Sequence, residues 1–255
     1  MIYSAIIMTR VAVAALTVLA LALTQSPRER AVPFAVGETL TYDISWSTFL
    51  TAGTAVSTVK DKKPSADSTA YYIVAEGRTT PLLSRVYPVY YKMDTLLDSY
   101  VLLPQRGTYY SEEGKRHRLR TTQFDRAANK VFFEYQSDTT VKDNFATSPL
   151  TQDALSAIYT LRATAFKAGD RITMPVSDDG LNYMVQADIG PVERVTTPLG
   201  QFDAWKVRLT VVDDKQKQVG SNAAIWLSDD ARRLPVRLQA DLPVGNFNLI
   251  LREAR

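Results

Sequence analysis

The sequence predicts a mainly β protein: a highly curved antiparallel sheet, an open barrel or sandwich-like, with one amphipathic helix packed against it. Three observations carry this. Period-two alternation of apolar and polar residues recurs along most of the chain, turn signals fall at intervals of about ten residues, and only one clear segment has helical spacing instead.

The first strand reads from Leu40, Tyr42, Ile44 and Trp46, which alternate with Thr39, Thr41, Asp43 and Ser45. An apolar, Thr-rich stretch from Phe49 to Val59 follows, in which Gly53 marks a bulge or tight bend. A short helical turn fits Pro81 to Val86. Alternation returns at Val131, Phe133 and Tyr135, then at Ile172, Met174 and Val176, and at Tyr183, Val185, Ala187 and Ile189. It is cleanest late in the chain, at Trp205, Val207, Leu209 and Val211, at Val236, Leu238 and Ala240, and at Phe247, Leu249 and Leu251. Such strands have one wet face, as antiparallel sheets allow. Turns are expected at Glu113-Gly114, Ala128-Asn129, Asp179-Gly180, Leu199-Gly200, Asp229-Asp230 and Gly245-Asn246. Between the two groups of strands, Ser148-Pro149 can cap and open a helix of about Leu150 to Phe166, with Leu155, Ile158, Tyr159, Arg162 and Phe166 on one face until Gly169 stops it. The count is eleven or twelve strands around one helix.

The N-terminus reads as an export signal. Val11 to Leu23 is an uncharged apolar run, shorter than the roughly 20 residues of a spanning helix. Ala20 and Ala22 supply the small residues of a cleavage site after Ala22. The expected division is a signal peptide over 1–22, a flexible tail over 23–33 and a single β-rich domain over 34–255. Met8, followed by Thr9 and Arg10, makes a more ordinary start than Met1; the alternative to cleavage is an anchor counted from Ile2. The expected location is the periplasm or cell envelope of a bacterium, with no stable membrane span after cleavage. The chain has no cysteine for a lipid anchor, so it is not expected to be a lipoprotein.

Composition narrows the chemistry. The chain has 255 residues, 45% of them hydrophobic and 22% charged, with no cysteine and one histidine. Thiol nucleophiles, thiolate metal sites and multi-histidine centres are excluded. The formal charge of +3 falls to about +2 when Arg10 is removed, which is no nucleic-acid footprint. No nucleotide loop, nucleophile elbow or calcium-loop spacing occurs, so no cofactor, metal or catalytic residue is assigned.

Several stretches resemble a family of exported bacterial proteins catalogued as domain of unknown function 3108. They are FAVGETLTYDISW (34–46) with Ala52-Gly53, DALSAIYTLR (153–162), TTPLGQFDAWKV (196–207) and IWLSDDARRLPVRL (225–238). The resemblance implies an exported, mostly β protein and carries no activity with it.

Four residues are expected to line a ligand cavity: Arg162, Tyr159, Trp46 and Tyr42. Arg162 lies between Tyr159 and Phe166 on the apolar helix face, where an unpaired charge would cost several kcal/mol. It therefore needs a carboxylate, and Glu38, Asp94 and Asp230 are the candidates. The plainer role is a structural ion pair. Arg116, Arg118 and Arg120 share one strand face at roughly 7 Å spacing, a stripe for phosphorylated lipid or acidic glycan unless it is a solvated hairpin arm balanced by Glu112, Glu113 and Asp125. The lone His117 points to the other face. Asp229-Asp230 beside Arg232 and Arg233 reads as a turn, and Glu38 with Asp94 is the acid pair a hydrolase would need. The leading expectation is a non-catalytic envelope protein whose sheet encloses a lipid-like or amphipathic ligand. The alternative is a scaffold that binds envelope glycan or a protein through its outer sheet surface.

Overall fold

A computed structural model describes residues 28–255 except 47–49, 66–67, 216 and 243–244. The expected signal peptide over 1–22 and residues 23–27 of the expected tail over 23–33 lie outside the described residues. The chain divides into two units, residues 1–30 and 31–255, and the second carries every element described below.

Among the described residues, fourteen strands form one antiparallel sheet. The chain runs outward from the middle of the sheet through β1 (Thr39–Trp46), β2 (Leu50–Ser65), β3 (Ser68–Thr79), β4 (Val89–Asp98), β5 (Pro104–Glu113), β6 (Arg116–Asp125), β7 (Lys130–Gln136) and β8 (Thr140–Ala146). A helical turn, α1 (Pro81–Ser84), joins β3 to β4. The helix α2 (Ala154–Arg162) then carries the chain to the opposite edge. From there β9 (Arg171–Asp178), β10 (Leu181–Thr197), β11 (Gly200–Val212), β12 (Gln218–Ser228), β13 (Pro235–Leu242) and β14 (Gly245–Ala254) return to the middle, where β14 pairs with β1. The turns expected at Ala128-Asn129, Asp179-Gly180 and Asp229-Asp230 fall between two strands, Glu113-Gly114 and Leu199-Gly200 straddle a strand end, and Gly245-Asn246 instead open β14, paired with Leu242 and Asp241 of β13. Asp179 and Gly180 both take positive φ (49° and 76°), as a two-residue hairpin matched to strand twist requires.

The sheet has more strands than the alternation suggests because some are polar on both faces. Nearly every residue of the edge strand β8 is exposed, and Lys142 there pairs with Glu134 of β7. Charge on an edge also discourages pairing with another chain. Gly53 lies at the expected irregularity: the β1–β2 register shifts between Ile44 and Ser45, and a Cβ at Gly53 would collide with the Arg78 carbonyl.

The helix is shorter than Leu150 to Phe166. Ser148-Pro149 makes a turn, with the Thr151 N–H donating to the Ser148 carbonyl at 3.1 Å. Gln152 is then drawn onto β9: its N–H donates to Pro175 O at 2.8 Å and its carbonyl accepts from Ser177 N–H at 2.9 Å. With that backbone committed to the sheet, the helix starts two residues later, at Ala154. Asp153 is the N-cap, its Oδ1 accepting from Ser156 N–H at 2.7 Å while the Ser156 hydroxyl accepts from Asp153 N–H at 2.9 Å. Beyond Arg162 the chain drops onto β10, where Gly169 N–H donates to Ile189 O.

Six of the nine α2 residues are buried, so the helix is a core element inside the curl of the sheet. Leu155 and Tyr159 pack against Phe34, Val59, Ile73, Leu97 and Leu102 of the first group of strands and its flanks. Ala157 and Leu161 face Met174, Val176, Val207 and Ile225 of the second group. Both ends of the crossing are pinned by arginine. Arg126 donates to the carbonyls of Pro104, Pro149 and Thr151. Arg162 is fully buried and donates bidentately to Glu38, at 2.7 and 3.0 Å, and to the carbonyls of Arg232 and Arg233, at 3.1 Å each. Of the three candidate carboxylates, Glu38 is the partner.

Truncating Arg162 leaves Glu38 buried without its partner. Arg162→Ala is expected to lower unfolding free energy in urea by about 3–5 kcal/mol, and Glu38→Leu/Arg162→Leu together by less than the sum of the single changes. Additive losses would show that the pair is not coupled.

Candidate ligand cavity

A cavity of about 400 Å³ lies between α2 and the concave face of β9 to β12. The helix contributes Ala154, Ala157, Ile158 and Leu161. Met174, Val176, Val185, Leu209, Val211, Val219, Ala223 and Ile225 form the opposite wall, and Asp178 and Tyr183 bring its polar atoms. Exposure rises from the fully buried Ile225 and Leu161 toward Asp178, Tyr183, Val211 and Val219. These four lie at the ends of their strands next to the β9–β10 and β11–β12 turns, so the cavity opens at that end of the sheet. Its size falls within the range of small-molecule sites, and its wall is almost wholly aliphatic.

At the start of α2 a smaller polar pocket of about 30 Å³ adjoins this cavity, sharing Ala154 and Asp178 with it. That is room for one or two waters. Asp153, Arg120, Tyr109 and Ser177 line it, and Gly107 lets the helix cap approach β5, since a Cβ there would lie 3.0 Å from Asp153 Oδ2. Burial pushes the Asp153 carboxyl up to about 6 even though Ser156 N–H and the Thr95 hydroxyl donate to it. At the mouth, the protein packed around the Asp178 carboxyl, which partly desolvates it although the residue stands at the opening, and then the neighbouring charge of Asp179 raise it as well.

The residues expected to bind a ligand lie elsewhere. Arg162, Tyr159 and Tyr42 are packed solid on the other side of α2. The Tyr159 hydroxyl sits 2.9 Å from Ser57 Oγ, its ring meets Phe34 edge-on at 4.9 Å, and the Arg162 guanidinium lies 5.0 Å from the Tyr159 ring centre. Burial, with the nearby Tyr159, raises the Tyr42 hydroxyl far above its ordinary value. For Arg162, burial alone would lower the pKa, but the hydrogen bonds and charge of Glu38 carry it upward. These groups hold the fold, which is the plainer role the sequence offered for Arg162. Trp46 is not core or cavity wall: it is 44% exposed, stacked on Phe247 at 6.2 Å at the end of β1. Alternation alone put it on the covered face.

The arginine stripe shares one face as expected, but that face is the concave one, on which Arg120 pairs with Tyr109 and Thr122 with Gly107. Arg120 lies 2.9 Å from Asp179 and over the Tyr109 ring, and Arg118 meets Glu113 at 3.4 Å. Arg116 alone of the three stays exposed. The acid pairs dissolve similarly. Glu38 is held by Arg162, whereas Asp94 accepts from Thr108 on a different part of the sheet. Asp230 caps the β12–β13 turn by accepting from Ser228 Oγ and from the N–H groups of Arg232 and Arg233, and Asp229 accepts from Trp205 Nε1.

The cavity residues missed by sequence reading had a faint signal. Ala154, Ala157, Ile158 and Leu161 form a second helical stripe, and its two alanines are too small to fill the space they face.

Fold and cavity together define an open, barrel-like curled sheet wrapped around one helix. The chain belongs to the family described as "Protein of unknown function (DUF3108)", whose model matches residues 41–252. No curated protein is detectably similar in sequence. Among solved structures it is similar to a beta-barrel-like protein of domain of unknown function DUF1849 from Brucella abortus. The TM-score is 0.55 at 13% identity, over 86% of this chain and 97% of that one. Two looser likenesses are to a chain described as a lipoprotein from Parabacteroides distasonis (12% identity, 89% and 100% covered, TM-score 0.36) and one described as an exported protein with a YmcC-like fold from Bacteroides fragilis (13%, 89% and 100%, TM-score 0.35). Those two scores are too low to bear on the fold.

Because Asp153 has a carboxyl pKa of about 6 when folded against an ordinary 3.8, the native state binds more protons than the unfolded chain between these values. Stability should therefore fall as pH rises from about 4 to 6, by up to about 3 kcal/mol from this group. Asp153→Asn keeps an N-cap oxygen and should flatten that slope in urea titrations across the range. An unchanged slope would remove Asp153 as its source.

Proposed function

We propose that this protein is a non-catalytic component of the bacterial cell envelope, exported by its N-terminal segment and free of a lipid anchor, that holds a lipid-like or amphipathic ligand in the cavity beneath α2. The observation that carries the reading is the cavity itself: about 400 Å³ walled by aliphatic side chains from one helix and four strands, and open at one end. Burying an acyl chain there would release apolar surface from water at roughly 25 cal/mol per Å². Asp178 and Tyr183 at the mouth supply the few polar groups that orient such a ligand. The absence of cysteine and the single exposed histidine favour holding over reacting.

Protein stripped of bound lipid should take up a fluorescent fatty acid or phospholipid with one ligand per chain, and native mass spectrometry of protein from its own periplasm should show a retained amphiphile. Ala157→Phe and Ala223→Leu each fill the cavity from one wall and should weaken uptake by about tenfold, near 1.4 kcal/mol, with the melting transition still cooperative. A stripped wild-type protein that takes up neither probe would overturn the proposal.

A further inference from the structure

The end of the sheet at which the cavity opens carries a second, unassigned feature. Between β3 and β4 the chain makes the strap Pro81–Pro88, and no residue of α1 within it is buried. Its large apolar side chains stand in solvent: Leu82 is 74% exposed, Val86 86% and Tyr87 56%. Thr80 caps the helical turn, and its N–H donates to Ala52 O of β2, so the strap is built into the sheet end. Strand directions place the ends of β1, β3 and β9, and the starts of β4, β6, β10 and β12, at this same end. The half-exposed Trp46 and the exposed Leu181 therefore belong to it too.

Cations flank the strap. Gly114 of the β5–β6 turn donates its N–H to Pro88 O, and a Cβ on it would touch the Tyr87 ring at 3.5 Å. That contact brings the exposed Lys115 and Arg116 beside the strap, which itself contains the exposed Arg85. The acids nearby are already engaged, Glu113 by Arg118 and the Tyr91 hydroxyl, Glu112 by the Tyr110 hydroxyl.

We propose that this end docks on the surface of an anionic phospholipid bilayer, Leu82, Val86 and Trp46 entering the interface while Arg85, Lys115 and Arg116 meet lipid phosphates. Exposed aliphatics, interfacial Trp and Tyr, and a basic fringe are the combination that a headgroup region accommodates. The choice of a bilayer over a protein rests on the proposed function, because the cavity mouth opens at this end and would face the source of its ligand.

The test uses the full chain with vesicles of phosphatidylglycerol and phosphatidylethanolamine containing brominated lipid. The N-terminal apolar segment would itself hold vesicles, so the reading is contact of Trp46 with lipid rather than retention. Tryptophan emission should be quenched, and the quenching should disappear in Trp46→Phe, fall at least twofold in Leu82→Asp/Val86→Asp, and fall with added salt and in Lys115→Glu/Arg116→Glu. All three variants should still take up the soluble fluorescent fatty acid, which shows them folded. No quenching that depends on Trp46, or equal quenching in Leu82→Asp/Val86→Asp, would overturn the inference. So would lipid-free self-association that the aspartate pair abolishes, since the strap would then be an interface between copies. Quenching without fatty-acid uptake by the wild type would sustain the docking face and sink the cavity reading.

Discussion

The crossing of the concave face by α2 depends on one buried ion pair, Arg162 with Glu38. Four hydrogen bonds leave that guanidinium, two to the carboxylate and two to carbonyls of the β12–β13 turn, and its plane also sits against the rings of Phe34 and Tyr159. A charge this deeply buried is tolerable only when so fully engaged. The engagement joins three distant parts of the chain: the segment before β1, the end of the helix, and the second group of strands. Arg126 does the corresponding work where the crossing begins, holding the carbonyls of Pro149 and Thr151.

Pinned at both ends, the helix divides the interior unequally. Toward the first group of strands it presents Leu155 and Tyr159, which fill the space against Phe34, Ile73 and Leu97. Toward the second group it presents Ala154, Ala157, Ile158 and Leu161, whose small members leave the cavity. A void lined by aliphatic groups forfeits dispersion contacts and is a cost to stability. One side of the helix is packed solid and the other is left hollow, and it is on this hollow that the proposed function rests.

The same geometry gathers the cavity mouth and the exposed apolar and basic side chains at one end. The cavity mouth, the solvent-facing strap and the basic β5–β6 turn all lie where hairpin tips converge, while the opposite end is closed by Phe34, Glu38 and Arg162. If the cavity holds an amphiphile as proposed, that ligand would enter and leave at the end carrying the strap and the basic turn.

Much of the fold was legible in the sequence because alternation and turn chemistry are local. The strand positions from Leu40 to Trp46 and from Trp205 to Val211, the Asp179-Gly180 turn, the bulge at Gly53 and the need of Arg162 for a carboxylate all follow from residues and their near neighbours. Tertiary structure decided what neighbours cannot encode. Whether a strand face is covered depends on what packs over it from elsewhere in the chain, and Trp46 at the end of β1 is left 44% exposed. Whether a stripe lies inside or outside depends on the direction of curl, so Arg118 and Arg120 turned inward. The helix began at Ala154 rather than Leu150 because Gln152 found backbone partners on β9, more than twenty residues away in sequence. The cavity arose the same way: two alanines and a turn of helix are ordinary in the sequence, and become a hollow only when four strands stand opposite them.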